Sequence, residues 1–336
     1  MAMHEAGPAG ELRHEGDLPH SGYGQTWAKT ILMGEHSVVY GHPALALPLR
    51  DLKMQAWVTP VSQGSEPMLK ALDYEGPLEA SGDRFAGLRR ALEVTLDFVE
   101  QKGYGPRAEH GFSIRTVSDF PAGRGLGSSA AAAGAVIHAI LDAYDAMVRV
   151  SREQLLSLTN QAEIVTHGHP SGLDAATTSG QDPVLFDHGN MEEISLHGSG
   201  YLVIADTGVA GSTKEAVEGV RSSYEKDPAR IGGILSSLGD QASAAIKDLE
   251  SGAMSRLGGR MDQAQILLDS LNVGHPTLDR LVGVARSCGA LGAKLTGGGL
   301  GGCMLALAPD AACADRIRAG LTDQGATEVW IHQMAA

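Results

Sequence analysis

Pro121-Ala122-Gly123-Arg124-Gly125-Leu126-Gly127-Ser128-Ser129-Ala130-Ala131-Ala132-Ala133 is a glycine-rich loop that runs straight into an alanine-rich segment. Glycines at 123, 125 and 127 remove side chains where backbone must approach a partner closely. Val136, Ile137, Ile140, Leu141 and Tyr144 then fall at helical spacing and predict a helix with an apolar stripe. A helix start carries unpaired N–H groups and partial positive charge, so the stretch suits an anion such as phosphate. A tight loop ahead of a buried helix would read the same way. The spacing G-x-G-x-G-S-S is not a Walker A loop, because no G-K-[ST] closes it. Nor is it the G-x-G-x-x-G that opens a Rossmann unit.

The 336 residues suit two domains or one large one. Hydrophobic residues make up 43% and aromatics only 4%, which predicts a mainly aliphatic core. A formal net charge of −14 argues against a nucleic-acid surface. It also means that an anionic substrate must meet a local positive site or a bridging cation. Cys288, Cys303 and Cys313 have no C-x-x-C spacing and suit a reducing cytoplasm rather than a disulfide framework. No apolar run of 18 residues predicts a membrane span. Residues 1–22 lack the apolar stretch of a signal peptide and read as a flexible tail.

Outward from the loop, Thr26 to Met33 reads as a strand with Lys29 inside it, followed by a tight turn at Gly34-Glu35-His36. An apolar run, Ala44 to Leu49, precedes a second strand expected over Met54 to Val61. Residues 64–82 read as a hairpin or irregular cover, and Phe85 to Lys102 as an amphipathic helix. Phe112 to Val117 alternates as a strand leading into the loop. Ser151-x-x-Gln154 is a capping box for a helix with Leu155, Leu158, Ala162 and Val165 on one face. That helix carries Glu163 near its end and stops at Gly168-His169-Pro170; Ser171-Gly172-Leu173-Asp174 opens another segment.

Short strands are expected at Pro183 to Phe186 and Glu193 to Leu196, and a buried one at Tyr201 to Ala205. Ser212 or Thr213 could cap the following helix, residues 231–270 read as helical, and Thr277 is the expected cap of Leu278 to Ser287. A second glycine-rich stretch, Lys294 to Cys303, leads into a strand, a helix and a closing strand at Glu328 to His332. This alternation predicts an α+β class.

Phosphoryl transfer at such a loop needs a metal ion, a group that orients the nucleophile, and positive charge nearby. Mg²⁺ takes hard oxygen ligands and keeps several waters, so one hydroxyl and one carboxylate suffice. Ser128 or Ser129 and Glu163 are candidates, although a first-turn serine and an exposed helix carboxylate would look alike in sequence. Asp174 could be a turn residue, and Lys29 an edge-strand lysine with its head in water. His110, His138, His167 and His169 do not make a metal set, because H-G-H is too short a spacing to be specific.

Four segments in order resemble the GHMP kinases. P-A-G-R-G-L-G-S-S-A-A is similar to their second motif and K-L-T-G-G-G-L-G-G-C, residues 294–303, to their third. A-K-T-I-L-M-G-E-H-S-V-V-Y-G, residues 28–41, is similar to the first motif in its mevalonate-kinase form. E-x-x-x-H-G-x-P-S-G-x-D, residues 163–174, resembles the segment carrying that family's metal-ligand glutamate and catalytic aspartate.

The resemblance implies a two-domain α+β fold. Its N-terminal domain, expected over residues 23–198, would be ribosomal-protein-S5-domain-2-like. Its C-terminal domain, over 199–336, would be ferredoxin-like, with the active site in the cleft between them. The implied activity is ATP-dependent phosphorylation of mevalonate's C5 hydroxyl in isoprenoid synthesis. A phosphomevalonate kinase and an inactive ligand sensor of the same fold are the alternatives.

Carried over by residue, Asp174 is the expected catalytic base and Lys29 its neighbour at the substrate hydroxyl. Ser129 and Glu163 would hold Mg²⁺. Glu35, His36 and Thr213 would line the acceptor pocket. Pro121, Ala122, Gly123, Arg124, Gly125, Leu126, Gly127, Ser128 and Ser129 would bind ATP. The implied partners are ATP and mevalonate, with no nucleic acid and no membrane; a homodimer is compatible with it. Two positions depart from the pattern: Leu300 interrupts the third motif's glycine run, and Ala175 follows Asp174 where asparagine is usual.

Overall fold

A long antiparallel pair carries the first half of the chain. β1 (Gly22–Met33) runs alongside β2 (Ala44–Pro60), in a computed structural model that describes residues 19–62, 64–105, 111–168, 171–188, 190–195 and 198–334. The tail expected over residues 1–22 therefore lies outside the described residues as far as residue 18, as do His110, His169 and Leu196.

β2 corrects the sequence reading. Ala44 to Pro60 is one strand of 17 residues, not an apolar run followed by a separate strand. Trp27 pairs with Lys53 but Ala28 pairs with Leu49, so Arg50, Asp51 and Leu52 bulge out of register. A bulge lets one strand bend and continue, which is how these three residues are absorbed.

One edge of β2 is shared by β5 (Phe112–Ser118) and β6 (Val184–Asp187), and β1 takes the other. β3 (Met68–Ala71) and β4 (Tyr74–Pro77) form the hairpin expected within residues 64–82, and β7 (Asn190–Glu193) closes the far end. The seven-stranded sheet has the order β4-β3-β5-β2-β6-β7, with β1 beside β2.

α2 (Ser128–Ala143) and the short α4 (Leu173–Thr178) pack on this sheet, and α1 (Ala86–Gln101) and α3 (Arg152–His167) pack on α2 and on each other. α2 is the alanine-rich helix, and Val136, Ile137, Ile140, Leu141 and Tyr144 are all buried. Its small side chains let β1 lie directly on helix backbone. A Cβ on Gly22 or Gly24 would stand 2.0 Å from the carbonyl oxygen of Ala139 or Ala135. The capping box of α3 is present, with both Ser151 and Gln154 contacts made. Its expected apolar face is shorter than predicted, because the last turn stands clear of the core: Ile164 is 50% and Val165 49% exposed.

The second half forms an antiparallel sheet of order β11-β8-β10-β9. Its strands are β8 (Gly200–Asp206), β9 (Gly292–Thr296), β10 (Cys303–Ala308) and β11 (Glu328–Met334). Helices α5 (Thr213–Lys226), α6 (Pro228–Glu250), α7 (Met254–Ser270), α8 (Pro276–Ser287) and α9 (Ala311–Asp323) complete it. Ser212, not Thr213, caps α5, accepting from the Glu215 amide. α8 is capped by His275 rather than Thr277, because Pro276 takes the first helical position and the His275 Nδ1 accepts the Thr277 amide at 3.2 Å. The class is α+β. Among the described residues no helix is long and apolar enough to cross a membrane.

Candidate active site

The opening loop ends where α2 begins, with Gly127 in the left-handed region (φ 73) as the residue before the first turn. A Cβ on Gly127 would lie 2.7 Å from Cγ of Lys29, so loop backbone sits directly on the lysine stem. The Lys29 amide donates to the Leu126 carbonyl at 3.0 Å, fastening loop and strand together. From the other side, the loop following β9 meets it: a Cβ on Gly297 would stand 2.9 Å from Cα of Gly125. Arg124 points away from the loop's interior, its Nε 2.9 Å from buried Asp206 at the end of β8.

Four predicted residues converge beside this loop. Lys29 is buried, and its Nζ lies 3.0 Å from Oδ1 of Asp174, whose side chain is 42% exposed. Position explains the contrast: Lys29 is inside β1, whereas Asp174 sits in the first turn of α4, where a carboxylate is favoured. Ser129, in the first turn of α2, donates to Oε1 of Glu163 on α3 at 2.5 Å. Burial pushes the Glu163 carboxyl up to about 7; the Ser129 hydrogen bond and Lys29 oppose that rise, and Asp174 adds to it. Those electrostatic couplings place the Ser129–Glu163 and Lys29–Asp174 pairs in one site. A hydroxyl and a single carboxylate are a hard-oxygen donor set of the kind Mg²⁺ accepts. The set contains neither thiolate nor imidazole.

The turn after β1 supplies the next residues. Glu35 is buried against Lys294 of β9, whose ammonium also donates to the Leu295 carbonyl at 2.8 Å. Burial raises the Glu35 carboxyl and lowers the Lys294 ammonium, the directions expected when water is withdrawn from both, while each partner's charge opposes the other's shift. Oε2 of Glu35 is buried with no hydrogen-bond partner. His36 donates from Nε2 to the Gly298 carbonyl at 2.9 Å, and burial lowers its imidazole pKa. Thr213 opens α5 against the same glycine, its Oγ1 3.0 Å from where a Gly298 Cβ would stand.

A cavity of about 660 Å³ opens at the start of α2. Pro121, Ala122, Ser128 and Ser129 line one end. Lys70, Arg84, Phe85, Arg115 and Val117 line the other, with Glu328 contributed by β11. Sequence reading missed this far end. A cavity wall assembled from a hairpin, a helix start and the end of β5 leaves no local pattern. It missed Asp206, Lys294 and Thr296 as site partners for a similar reason, since each acts across more than 80 residues of chain.

Comparison with known proteins agrees with this geometry. Residues 89–181 match the model for the GHMP kinases N terminal domain, and residues 245–327 match that for the GHMP kinases C terminal. The chain belongs to the GHMP kinase family, and is therefore a phosphotransferase enzyme of two-part α+β fold. Within that family it is similar to proteins named mevalonate kinase. That of Pyrococcus abyssi is 36% identical over 84% of this chain and 87% of its own. That of Pyrococcus horikoshii is 35% identical over 88% of this chain and 92% of its own. Among solved structures, L. major mevalonate kinase in complex with R-mevalonate superposes with a TM-score of 0.79 at 25% identity, covering 93% of this chain and 95% of that one.

Proposed function

We propose that this enzyme transfers the γ-phosphoryl group of ATP to the C5 hydroxyl of mevalonate, giving 5-phosphomevalonate and ADP. The observation that carries the reading is the Lys29–Asp174 pair beside the Ser129–Glu163 pair at the start of α2. The relatives named mevalonate kinase supply the acceptor.

An alcohol is a weak nucleophile at neutral pH. Asp174, half open to solvent, orients the O–H and takes its proton as the new O–P bond forms and the bond to ADP breaks. Lys29 lies within reach of the same oxygen and favours the negative charge that develops there. The buried stem of Lys29 is fixed by β1 and Gly127, so its ammonium has little freedom to leave Asp174. Ser129 and Glu163 would hold Mg²⁺, which when bound neutralises charge on the nucleotide phosphates.

Residues 121–129 and the first turn of α2 receive the ATP phosphates, and the 660 Å³ cavity has room for the rest of the nucleotide. Glu35, His36 and Thr213 line the acceptor side. The two sheets support a division into domains over 23–198 and 199–336, and the unpaired cysteines 288, 303 and 313 suit the cytoplasm.

An ADP-release assay with mevalonate, phosphomevalonate, galactose and homoserine as acceptors tests the substrate. Turnover with mevalonate above the other three is expected. Turnover with another acceptor and none with mevalonate would reassign the enzyme within its family.

A further inference from the structure

β1 carries Lys29 yet pairs along one edge only, through β2. The groups on its other edge must find partners elsewhere, because an unpaired buried N–H costs about 1–3 kcal/mol. Their partners can be traced. The Tyr23 amide donates to Asp142 Oδ2 at 2.9 Å, and the Gln25 carbonyl accepts from His138 Nδ1 at 3.3 Å. The Lys29 amide donates to the Leu126 carbonyl at 3.0 Å. These partners all lie on α2 or the loop before it. The Ile31 amide is different: it donates to Oγ1 of Thr296 on β9 at 3.1 Å, 265 residues away. The same buried hydroxyl lies 3.1 Å from the Ile31 carbonyl and 3.0 Å from Oγ1 of Thr30. Lys294, two residues earlier and thus on the same side of β9, holds Glu35 at the other end of this segment.

We propose that Thr296 is a positioning residue for phosphoryl transfer. By clipping the open edge of β1 at Ile31, it fixes the stretch between the Leu126 contact and Glu35. That sets the place of Lys29 against Asp174. It touches no reacting atom and acts through Lys29. The inference rests on the reading of Lys29 as the group facing the reacting oxygen. Two of this hydroxyl's three contacts are to the Ile31 backbone and the third is to the Thr30 hydroxyl, so a loss there moves the strand. A displacement of about 1 Å at a reacting group can lower turnover on the order of 100-fold.

A double-mutant cycle with Lys29→Met tests this, read in turnover at saturating substrates and in thermal melting. Thr296→Val keeps the shape and removes the hydroxyl; a loss in kcat of roughly 10- to 100-fold is expected, with KM for ATP within about threefold. Thr296→Ser, which restores the hydroxyl, should recover kcat to within about threefold of wild type. In the Lys29→Met background, Thr296→Val should lower the melting temperature as before and leave kcat unchanged.

If Lys29→Met is impaired but Thr296→Val lowers kcat by the same factor in both backgrounds, Thr296 is merely structural and the proposal is overturned. If Lys29→Met itself turns over at the wild-type rate, the reading of Lys29 fails, and the proposal with it. Should Thr296→Val fail to fold, Thr296→Cys takes its place in the cycle with the same outcomes.

Discussion

Replacing Lys294 by methionine isolates the cost of one buried charge at the junction of the two sheets. Both side chains of the Glu35–Lys294 pair are fully buried. The substitution keeps an unbranched stem of similar length and removes only the ammonium. Glu35 is then left with a carboxylate in a dry site, and its Oε2 already has no hydrogen-bond partner to take up the difference. Removing one member of a buried pair costs about 3–5 kcal/mol. The nearby Lys29 charge, which also favours ionised Glu35, places the expected loss at the lower end, about 3 kcal/mol.

The double variant Glu35→Gln with Lys294→Met replaces the pair by neutral groups of similar volume, and should recover to within about 1.5 kcal/mol of wild type. The pH dependence has a definite sign. Glu35 is an acid whose folded-state pKa lies above its unfolded value, so the folded form gains relative stability as pH falls toward the unfolded value. Lys294 opposes that rise, so in Lys294→Met the Glu35 carboxyl lies higher still, and the deficit of the variant should shrink between pH 7.5 and pH 5. Equilibrium urea melts at several pH values measure all three quantities. A single-variant deficit below about 1 kcal/mol at pH 7.5, or a double variant no more stable than the single, would refute the account of this pair.

Glu163→Gln should raise the Mg²⁺ concentration needed for half-maximal turnover. In the wild type that requirement should fall from pH 6 to pH 8 as the carboxyl, held near 7, gives up its proton, and the variant should lose this dependence. Gly127→Ala forces a side chain into the left-handed region and against Lys29; a loss of at least about 2 kcal/mol in urea melts is expected, together with a fall in kcat. Burial holds the His138 imidazole below its ordinary pKa, so the unfolded chain takes up a proton below about pH 6.5 that the folded one resists. The stability advantage of wild type over His138→Asn should accordingly be full above pH 7 and shrink as pH falls to 5, measured by thermal melting.

What could be read before the structure was what local spacing encodes. The apolar stripe of α2 and the capping box of α3 depend on residues within a turn or two of each other, and both appear as expected. β2 reads in sequence as an apolar run and a separate strand because the charged Arg50, Asp51 and Lys53 interrupt the apolar pattern; the bulge at residues 50–52 is set by the partner register of β1. The chemistry-bearing residues were legible through their resemblance to family motifs, and the structure brings Lys29, Ser129, Glu163 and Asp174 together. The braces were not. Lys294 with Glu35, Thr296 with Ile31 and Arg124 with Asp206 join segments far apart in the chain, where neither periodicity nor spacing carries a signal. The departure at Leu300 is accommodated as a left-handed residue (φ 58) whose amide donates to the Val273 carbonyl at 2.8 Å. Ala175 is simply buried in α4.

On the proposed mechanism, Asp174, held by Lys29, activates the C5 hydroxyl of mevalonate for attack on ATP. A rapid-quench single turnover with enzyme in excess over labelled ATP tests it, comparing wild type with Asp174→Asn and identifying the product by ³¹P NMR. Wild type should form a phosphate ester at the C5 oxygen. Asp174→Asn should form it slower by a factor of about 10²–10⁴ while binding Mg·ATP within about threefold of wild type. Ester formation at the wild-type rate by Asp174→Asn, or no C5 ester from the wild-type enzyme, would contradict it.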